Sequence, residues 1–535
     1  MADLKLTRFN EKAYLAVNPD VKKSLEEGVH QSGLEHFTLH GIEEDRAPKL
    51  RREPIDVKGH VDFFFVSESG FFVVGGWLAD EGCGPLQCRF VGAEFAVEIS
   101  KSEVCRFARK DVEDSVRSGA YDYGFFILGT SPSRSLLKRS LQFVCETPVG
   151  SLDIRVTPQI VSNERLLNFA LVRLKDQDSH QGREYNLHQF MTHAGENLVE
   201  LFRSQLKEKE KAPYVESFGK RAVSRSFITV LFGSVEPIML QPMLFRSAGI
   251  DFGEWIYVCN SPEDGAAALR LGRAMSDLYD VAITVVVMAD NVGFGAANNV
   301  GVTVAQSRNI YVVNPDVFPL RSGVAELRRT LARSSLGEDL WGGLLFYDDQ
   351  NLMHSGMYME HDVFVHRDTL ARRGDATEVV KLVRVEHFDK GVPFDPALWT
   401  EPRATPAISG AVMAFDRACF ERIGGFSSRY IFGHYEDADL SLRWRERIGS
   451  VLIDPDLRFV HLEGQGSHAR GDHYKAAQTI NRYLFSQKYN DAFAGDPGMM
   501  VSATRRPPQP PPEPETRLDP WSIGPGSKPA AAGME

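Results

Sequence analysis

The chain has 535 residues, 43% of them hydrophobic and 25% charged, which predicts a globular protein of about three or four domains. Its 61 basic and 72 acidic residues give a formal charge of -11, which argues against a broad nucleic-acid-binding surface. Six scattered cysteines without a C-x-x-C pair favour a reducing compartment, and no apolar run reaches the ~18 residues of a membrane span, so we expect a cytoplasmic protein.

Residues 1–55 are predicted to form a small helical module. The segment Asn18–Val21 reads Asn-Pro-Asp-Val and is followed by charged residues that end at Gly28. We expect Asn18 to cap a short helix whose first position is Pro19, because proline lacks only a donor that a helix start leaves unused.

Two further regions precede the main domain. Residues 59–161 contain seven short apolar runs separated by Gly, Pro, Ser and Asp, a pattern that predicts a β-sandwich accessory domain. Residues 163–222 are polar with one apolar stripe, and they are predicted to form a helical linker.

Residues 226–490 alternate between apolar strand patterns and helical patterns, which predicts a mostly parallel sheet flanked by helices. The run Val281–Ala289 is typical of a strand buried on both faces. The loop after it carries Asn291, Gly293 and Gly295, where glycine permits a tight turn, and a helix bearing Asn298 is predicted to follow.

The next strand, Ile310–Val313, stops at Asn314-Pro315-Asp316, since proline cannot continue a central ladder. Asp316 is therefore expected at the carboxyl end of a buried strand, the edge where ligands bind in open α/β sheets. The same tetrapeptide at Asn18–Val21 lies in a helical setting, so it predicts a site only where it ends a strand.

The second half of this domain contains two chemically distinctive stretches. Residues 407–415 predict a strand in which Ser409-Gly410 lets the backbone approach a ligand, and a charged stretch before it, 361–405, is predicted to be mostly loop. A helix is predicted to begin near Glu436 and Asp437, with Asp439 in its first turn. The helix dipole alone favours acidic residues there, so a structural explanation competes with a catalytic one.

Several motifs occur once each and in one order: N-x-G-F-G-x-A-N-N-x-G, N-P-D-V after a strand, G-A-V-M-A-F, G-G-F, Y-E-D-A-D-L and a later Val460-His461. This set resembles the family 2 glycosyltransferases of the A-type nucleotide-sugar (GT-A) fold, especially bacterial rhamnosyltransferase-like members. The resemblance covers residues 226–490, and Met353-His354-Ser355-Gly356 also resembles a segment that precedes the acceptor region in that family.

The resemblance implies transfer of a sugar from a nucleoside diphosphate sugar to a hydroxyl, with inversion. Asp316 matches the family's metal carboxylate, with Asn314 beside it, and His461 resembles the histidine that completes such sites. A nitrogen ligand suits Mn²⁺ at least as well as Mg²⁺.

Asp437 matches the family's general base, Glu436 lies next to it, and Asp439 is a candidate for orienting the acceptor. Asn291, Gly293 and Asn298 line up with the donor-binding loop, and Ser409-Gly410 with a backbone contact to the donor. The chain departs from the family at Cys259-Asn260, where relatives often carry an aspartate that reads the nucleobase, and Asp264 is a substitute candidate.

The leading hypothesis is an inverting, metal-dependent transferase acting on a glycan or lipid-linked acceptor in bacterial polysaccharide biosynthesis. The alternative is a catalytically silent glycan-binding or scaffold protein that retains the fold. A dinucleotide enzyme is disfavoured because G-x-G-x-x-G is incomplete at Asn298. Membrane contact and oligomeric state stay open, and residues 502–535, rich in proline, are predicted to be a disordered tail.

Overall fold

A computed structural model describes most of the chain. The described residues are 11, 14–15, 18–41, 57–79, 87–92, 95–99, 104–107, 109, 111–112, 123–131, 136, 140–147, 150–175, 183–208, 212–219, 223–367, 377–462 and 472–495. The predicted tail, 502–535, lies outside them. No helix in these ranges is both long and apolar enough to cross a membrane.

The amino-terminal module contains helices α1 (Pro19–Glu26) and α2 (Gly33–His36), followed by a π-helical turn, Phe37–Gly41. Pro19 begins α1 as predicted, but Asn18 does not cap it through its side chain. The Asn18 Nδ2 atom instead donates to the Tyr14 carbonyl, at 2.9 Å. The expected capping bond was therefore wrong, because the amide has a better-placed backbone acceptor.

The next nine strands within the described residues form two facing sheets. They are β1 (Lys58–Ser67), β2 (Phe71–Ala79), β3 (Gln87–Val91), β4 (Ala96–Ile99), β5 (Val104–Phe107), β6 (Gly124–Thr130), β7 (Leu141–Thr147), β8 (Gly150–Val156) and β9 (Gln159–Val161). The sheet orders are β5-β6-β2-β1-β9 and β4-β3-β7-β8. Phe64, Phe90, Phe125 and Phe143 fill the shared core, which gives the β-sandwich-like domain that the turn spacing predicts.

Long helices join this sandwich to the rest of the chain. Helices α3 (Asn163–Lys175) and α4 (Arg183–Glu208) follow the sandwich, and the last helix, α11 (Asp472–Gly495), packs against both. One core contains Phe126 of the sandwich, Leu198 of α4 and Leu484 of α11. The accessory domain is thus packed onto the helix that closes the main domain.

The main domain is built on one large mixed sheet with the strand order β10-β13-β12-β11-β14-β21-β16-β22-β15. Its strands are β10 (Tyr214–Phe218), β11 (Ser226–Leu231), β12 (Glu254–Cys259), β13 (Ala282–Val287), β14 (Asn309–Val313), β15 (Val317–Pro319), β16 (Leu340–Phe346), β17 (Leu352–His354), β20 (Arg403–Ala404), β21 (Val412–Asp416) and β22 (Val451–His461). Strands β11 to β14 are mutually parallel. Their almost continuously buried residues explain the apolar runs and confirm the predicted α/β class.

Helices cover both faces of this sheet, and an apolar core lies against each face. They are α5 (Pro237–Ser247), α6 (Gly265–Tyr279), α7 (Phe294–Val304), α8 (Val324–Leu331), α9 (Arg417–Arg422) and α10 (Glu436–Arg447). Single 3₁₀ turns occur at Pro262–Asp264, Arg321–Gly323 and Pro396–Leu398. Beyond β14 the sheet is mixed, because β21 enters antiparallel between β14 and β16.

The prediction of loop for 361–405 was wrong over much of that stretch. Strands β18 (Met357–Arg367) and β19 (Thr377–His387) pair antiparallel as a long hairpin. Its charged residues pair across the strands, as between Arg384 and Glu360 at 3.1 Å, while Leu382 is buried against the helical core. The density of charge concealed an alternating strand pattern.

Candidate functional site

The segment Asn314-Pro315-Asp316 lies at the carboxyl edge of the sheet, between β14 and β15. The Asn314 N–H donates to the carbonyl of Ala411 at 2.9 Å, and the Gln241 side chain donates to the Asn314 carbonyl at 2.8 Å. The Asp316 carbonyl accepts from the Leu462 N–H at 3.0 Å. The main chain of this segment is therefore held from both sides, which fixes where the Asp316 side chain begins.

The two residues predicted to hold a metal meet at this edge. Strand β15 pairs antiparallel with β22 so that Val317 lies opposite His461. Nε2 of His461 is 3.2 Å from Oδ1 of Asp316, with side-chain exposures of 11% and 18%. Sheet pairing thus brings together a carboxylate and an imidazole that are far apart in sequence, and leaves both reachable from solvent.

Asp437 lies at the start of α10, and both of its carboxylate oxygens accept backbone hydrogen bonds. Oδ2 accepts from Gly410 N–H at 3.0 Å and Oδ1 from Ala438 N–H at 2.8 Å. The residue after Gly410, Ala411, supplies the carbonyl bonded to Asn314. One short turn, residues 409–411, therefore links the carboxylate of Asp437 to the segment that carries Asp316.

The loop before α10 has an unusual backbone. Phe432, His434 and Tyr435 all have left-handed conformations, with φ of 60°, 77° and 72°. Non-glycine residues avoid this region because Cβ crowds the following carbonyl. Strain of this kind clusters at functional sites, where the surroundings over-determine the backbone. Glu436, the first residue of α10, is buried beside Gly295.

Asp439 faces the protein interior. Its side chain is completely buried and forms ion pairs with Arg443 at 2.7 Å and Lys488 at 2.5 Å. The hydroxyls of Tyr489 and Tyr430 also donate to it, at 2.8 and 3.2 Å. Burial raises the pKa of Asp439, but the two cations outweigh burial and lower that pKa below its usual range. A carboxylate with these partners is suited to holding α10 in place, so its use for orienting an acceptor stays a prediction that this geometry disfavours.

The predicted donor loop is held by a network of amides. Asn291 Oδ1 accepts from Asn260 Nδ2 at 2.8 Å, and Asn291 Nδ2 donates to the Tyr474 hydroxyl of α11 at 2.7 Å. Asn260 Oδ1 accepts from the Val292 N–H at 3.0 Å. Gly293 has a φ of 83°, and a Cβ there would lie 2.9 Å from the Phe432 carbonyl oxygen. The glycine is therefore required by the turn and by close approach of the strained loop.

Asn298 and Ser409 differ in their access to ligands. Asn298 is completely buried in α7, where its Nδ2 donates to the Phe294 carbonyl at 3.0 Å. Ser409 is half-buried, and its Oγ accepts from the Ala411 N–H at 3.2 Å. The structure thus gathers Asp316, His461, Asp437 and the 409–411 turn at one edge, and it places Asn298 and Asp439 in the interior.

The sequence analysis did not select several residues that complete this edge. His354, at the end of β17, is buried, and its Nε2 accepts from the Ser409 N–H at 3.4 Å. Its ring lies 4.7 Å from that of His387, centroid to centroid. Burial lowers the pKa of His354 well below the usual value, and the neighbouring His387 and His461 lower it further, so the ring is neutral. The Met353–Gly356 motif was the available signal for this histidine.

The residues at this edge fit a divalent cation only in part. Asp316 and His461 supply one oxygen and one nitrogen ligand, and in the described ranges no three His, Cys, Asp or Glu side chains form a metal-binding group. Asn314 Oδ1 and His461 Nδ1 are shielded from solvent and have no hydrogen-bond partner within those ranges. Such a donor set suits a cation whose remaining positions are filled by phosphate oxygens and water.

Comparison with protein-family models finds no match, and comparison with curated proteins finds none either. Two solved structures are similar in part. One is "Crystal structure of GalNAc-T7 with UDP, GalNAc and Mn2+", at 14% identity and a TM-score of 0.33, over 52% of this chain and 53% of that chain.

The other is a mannosyltransferase, PcManGT from Pyrobaculum calidifontis, in complex with GDP-Man and Mn2+. It is 15% identical with a TM-score of 0.30, over 62% of this chain and 88% of that chain. The match therefore spans about half the length of the first structure. At such identities a likeness concerns the fold alone, and at TM-scores this low we rest no argument on it; the architecture is established by the sheet described above.

Proposed function

We propose that this protein is an inverting glycosyltransferase of the family 2, GT-A type, which moves a sugar from a nucleoside diphosphate sugar to a hydroxyl of a glycan or lipid-linked acceptor in bacterial polysaccharide biosynthesis. The observation that carries the proposal is the convergence at one sheet edge of the Asp316–His461 pair with Asp437, through the 409–411 turn. A cation-binding pair beside an accessible carboxylate is what displacement of a diphosphate by a hydroxyl needs.

Asp316 and His461 are the residues that would hold the divalent cation, and Asn314 Oδ1 is a third candidate ligand. A bound cation would supply charge neutralisation for the leaving diphosphate. Because the protein offers so few ligands of its own, we expect the cation and the diphosphate to bind together rather than separately.

Asp437 is the proposed general base. Its two backbone hydrogen bonds favour the ionised form, and its place in the first turn of α10 adds the favourable field of the helix dipole. It would take the proton from the acceptor hydroxyl as that oxygen attacks the anomeric carbon. A single displacement with one base inverts the configuration, since retention requires a nucleophile on the opposite face.

The second candidate is a binding or scaffold protein that retains the fold without catalysis. It is favoured by the small number of cation ligands and by the engagement of Asn291 and Asn260 in holding their own loop. Under this alternative the protein would bind a nucleotide sugar or glycan and transfer nothing.

A panel of nucleotide sugars with Mn²⁺ separates these functions. Calorimetry measures donor binding, and release of the nucleoside diphosphate measures turnover, for wild type and for Asp437→Asn, Asp316→Asn and His461→Ala. Loss of a general base lowers rates by about 10² to 10⁴-fold, so we expect Asp437→Asn to bind the donor but turn it over at least ~100-fold more slowly. Asp316→Asn and His461→Ala should weaken Mn²⁺-dependent donor binding.

The matched control is Asp277→Asn, on the exposed surface of α6, which makes the same chemical change away from the site. It should bind and turn over the donor as wild type does. Donor binding without turnover by wild type would support the scaffold, and equal turnover by Asp437→Asn would remove Asp437 as the base.

A further inference from the structure

One face of the closing helix α11 contacts three separate parts of the site. Tyr474, Asn481 and Lys488 are seven residues apart, about two helical turns, so they share a face. Tyr474 accepts from Asn291 in the donor loop, Asn481 binds the loop before α10, and Lys488 pairs with Asp439 inside α10. The opposite face packs on α3 and α4, the helices that carry the accessory domain.

Asn481 makes the most extensive of these contacts. Its side chain is completely buried, and its Oδ1 accepts from the Ile431 N–H at 2.9 Å. Its Nδ2 donates to the carbonyls of Ile431 at 2.9 Å and Gly433 at 2.6 Å, with His434 O at 3.4 Å. Only one orientation of the amide satisfies this set, because the reversed amide would direct its oxygen at carbonyls.

These bonds lie on both sides of the first strained residue. Phe432, His434 and Tyr435 hold left-handed conformations that the chain would leave unless its surroundings fixed them. Asn481 supplies that fixation from inside the core. The same loop meets the donor side, since the Phe432 carbonyl accepts from the Phe294 N–H at 2.7 Å.

We propose that Asn481 is a positioning residue for the base. By fixing the left-handed loop 431–435, it sets the first turn of α10 and so holds the Asp437 carboxylate against the Gly410 N–H. The inference rests on the proposed role of Asp437. It gives α11, and through it the accessory domain, a direct mechanical connection to the chemistry.

The test uses the full chain with Asn481→Asp and Asn481→Ala, and Asn490→Asp as the control. Asn490 lies on the same helix and also donates one side-chain bond to a backbone carbonyl, that of Lys381 at 3.0 Å. Misplacing a reacting group by about 1 Å can lower a rate ~100-fold, so we expect kcat to fall roughly 100-fold for Asn481→Asp at pH 8. The control should stay within about twofold, as surface changes usually do.

Two readouts separate positioning from a general loss of packing. A protonated aspartate regains an O–H donor for the loop carbonyls, so the relative kcat of Asn481→Asp should rise as the pH falls, whereas that of Asn481→Ala should not. Glycine tolerates the left-handed region, so adding His434→Gly to Asn481→Ala should restore part of the lost kcat, measured against His434→Gly alone. Absence of both effects, or wild-type kcat in Asn481→Asp, would overturn the proposal.

Amide hydrogen exchange distinguishes this failure from failure of the proposed function. If Asn481 fixes the loop, amides of 431–437 should exchange faster in Asn481→Ala than in wild type, whether or not any donor is turned over. Unchanged exchange would overturn the positioning role by itself. Faster exchange in a wild type that turns over no donor would leave the loop contact standing and remove the catalytic purpose.

Discussion

Replacing Asp439 by asparagine tests whether this carboxylate is structural or binds the acceptor. The substitution leaves Arg443 and Lys488 without their anion and weakens the bonds from the Tyr430 and Tyr489 hydroxyls. Removing one partner of a buried ion pair costs about 3 to 5 kcal/mol, because the remaining charge stays buried and uncompensated. One kcal/mol shifts the melting temperature by roughly 2 to 4 °C for a unit of about 150–250 residues, so we expect Asp439→Asn to melt ~6 to 20 °C lower.

Differential scanning fluorimetry measures this shift, and two variants calibrate it. Tyr489→Phe removes one hydroxyl bond to the same carboxylate, at 2.8 Å, and should cost about 1.5 to 3 kcal/mol, as bonds to charged groups do. Asp437→Asn keeps a side chain of the same size at a half-buried position and should melt near wild type. An Asp439→Asn protein that melts with wild type but has a raised acceptor KM would refute the structural account and restore the acceptor role.

The pH dependence gives a second check on Asp439. The pKa of this group is lowered in the folded protein, since Arg443 and Lys488 outweigh the effect of burial, which acts to raise it. A lowered carboxyl pKa stabilises the fold above the unfolded-state value, about 3.9, and that stability is lost as the pH falls through the folded-state pKa. The melting difference between wild type and Asp439→Asn should therefore be full near neutral pH and shrink only below about pH 4.

Two further predictions concern the donor loop. Gly293→Ala should destabilise the protein by about 1 to 3 kcal/mol and weaken donor binding, because Cβ would meet the Phe432 backbone at 2.9 Å. Gly233→Ala is its matched control in melting and calorimetry: φ is 74° there, but nothing lies within 4 Å, so a deficit equal to that of Gly293→Ala would contradict the close-approach argument. Asn260→Asp, which introduces the family's carboxylate, should weaken donor binding by about 1 to 3 kcal/mol, since it removes the donor to Asn291 and leaves acceptors facing each other. Tighter binding of any nucleotide sugar by this variant would show instead that position 260 reads the nucleobase.

The parallel half of the sheet could be predicted because burial on both faces leaves a plain record in sequence. Every residue of β11 and β12 is buried, and these strands appear as unbroken apolar runs. The β18–β19 hairpin was missed for the opposite reason. It exposes much of its surface, its charged residues pair across strands, and its apolar positions find their partners in the distant helix α11.

Within the site, residues at strand ends could be predicted, and residues that act through the backbone could not. Asp316 follows a buried strand and stops it with a proline, so its place at the carboxyl edge follows from local sequence. Asn481 lies in the middle of a helix, where a polar residue ordinarily indicates a solvent-facing position. Its partners are backbone groups about fifty residues earlier, and no pattern of side chains in α11 records a strained loop elsewhere.

The three acidic residues of α10 show how a sequence signal can still separate structural from chemical carboxylates. Periodicity cannot do it, because α10 is buried nearly all round: Ala438, Asp439, Leu440 and Ser441 are all enclosed. A cation one helical turn later can do it, since residues four apart are neighbours on a helix. Asp439 has Arg443 at that spacing and pairs with it, whereas Asp437 has Ser441, whose hydroxyl donates to the Asp437 carbonyl. The carboxylate of Asp437 is thus the one that no cation of its own helix neutralises, and it is the one left to accept a proton.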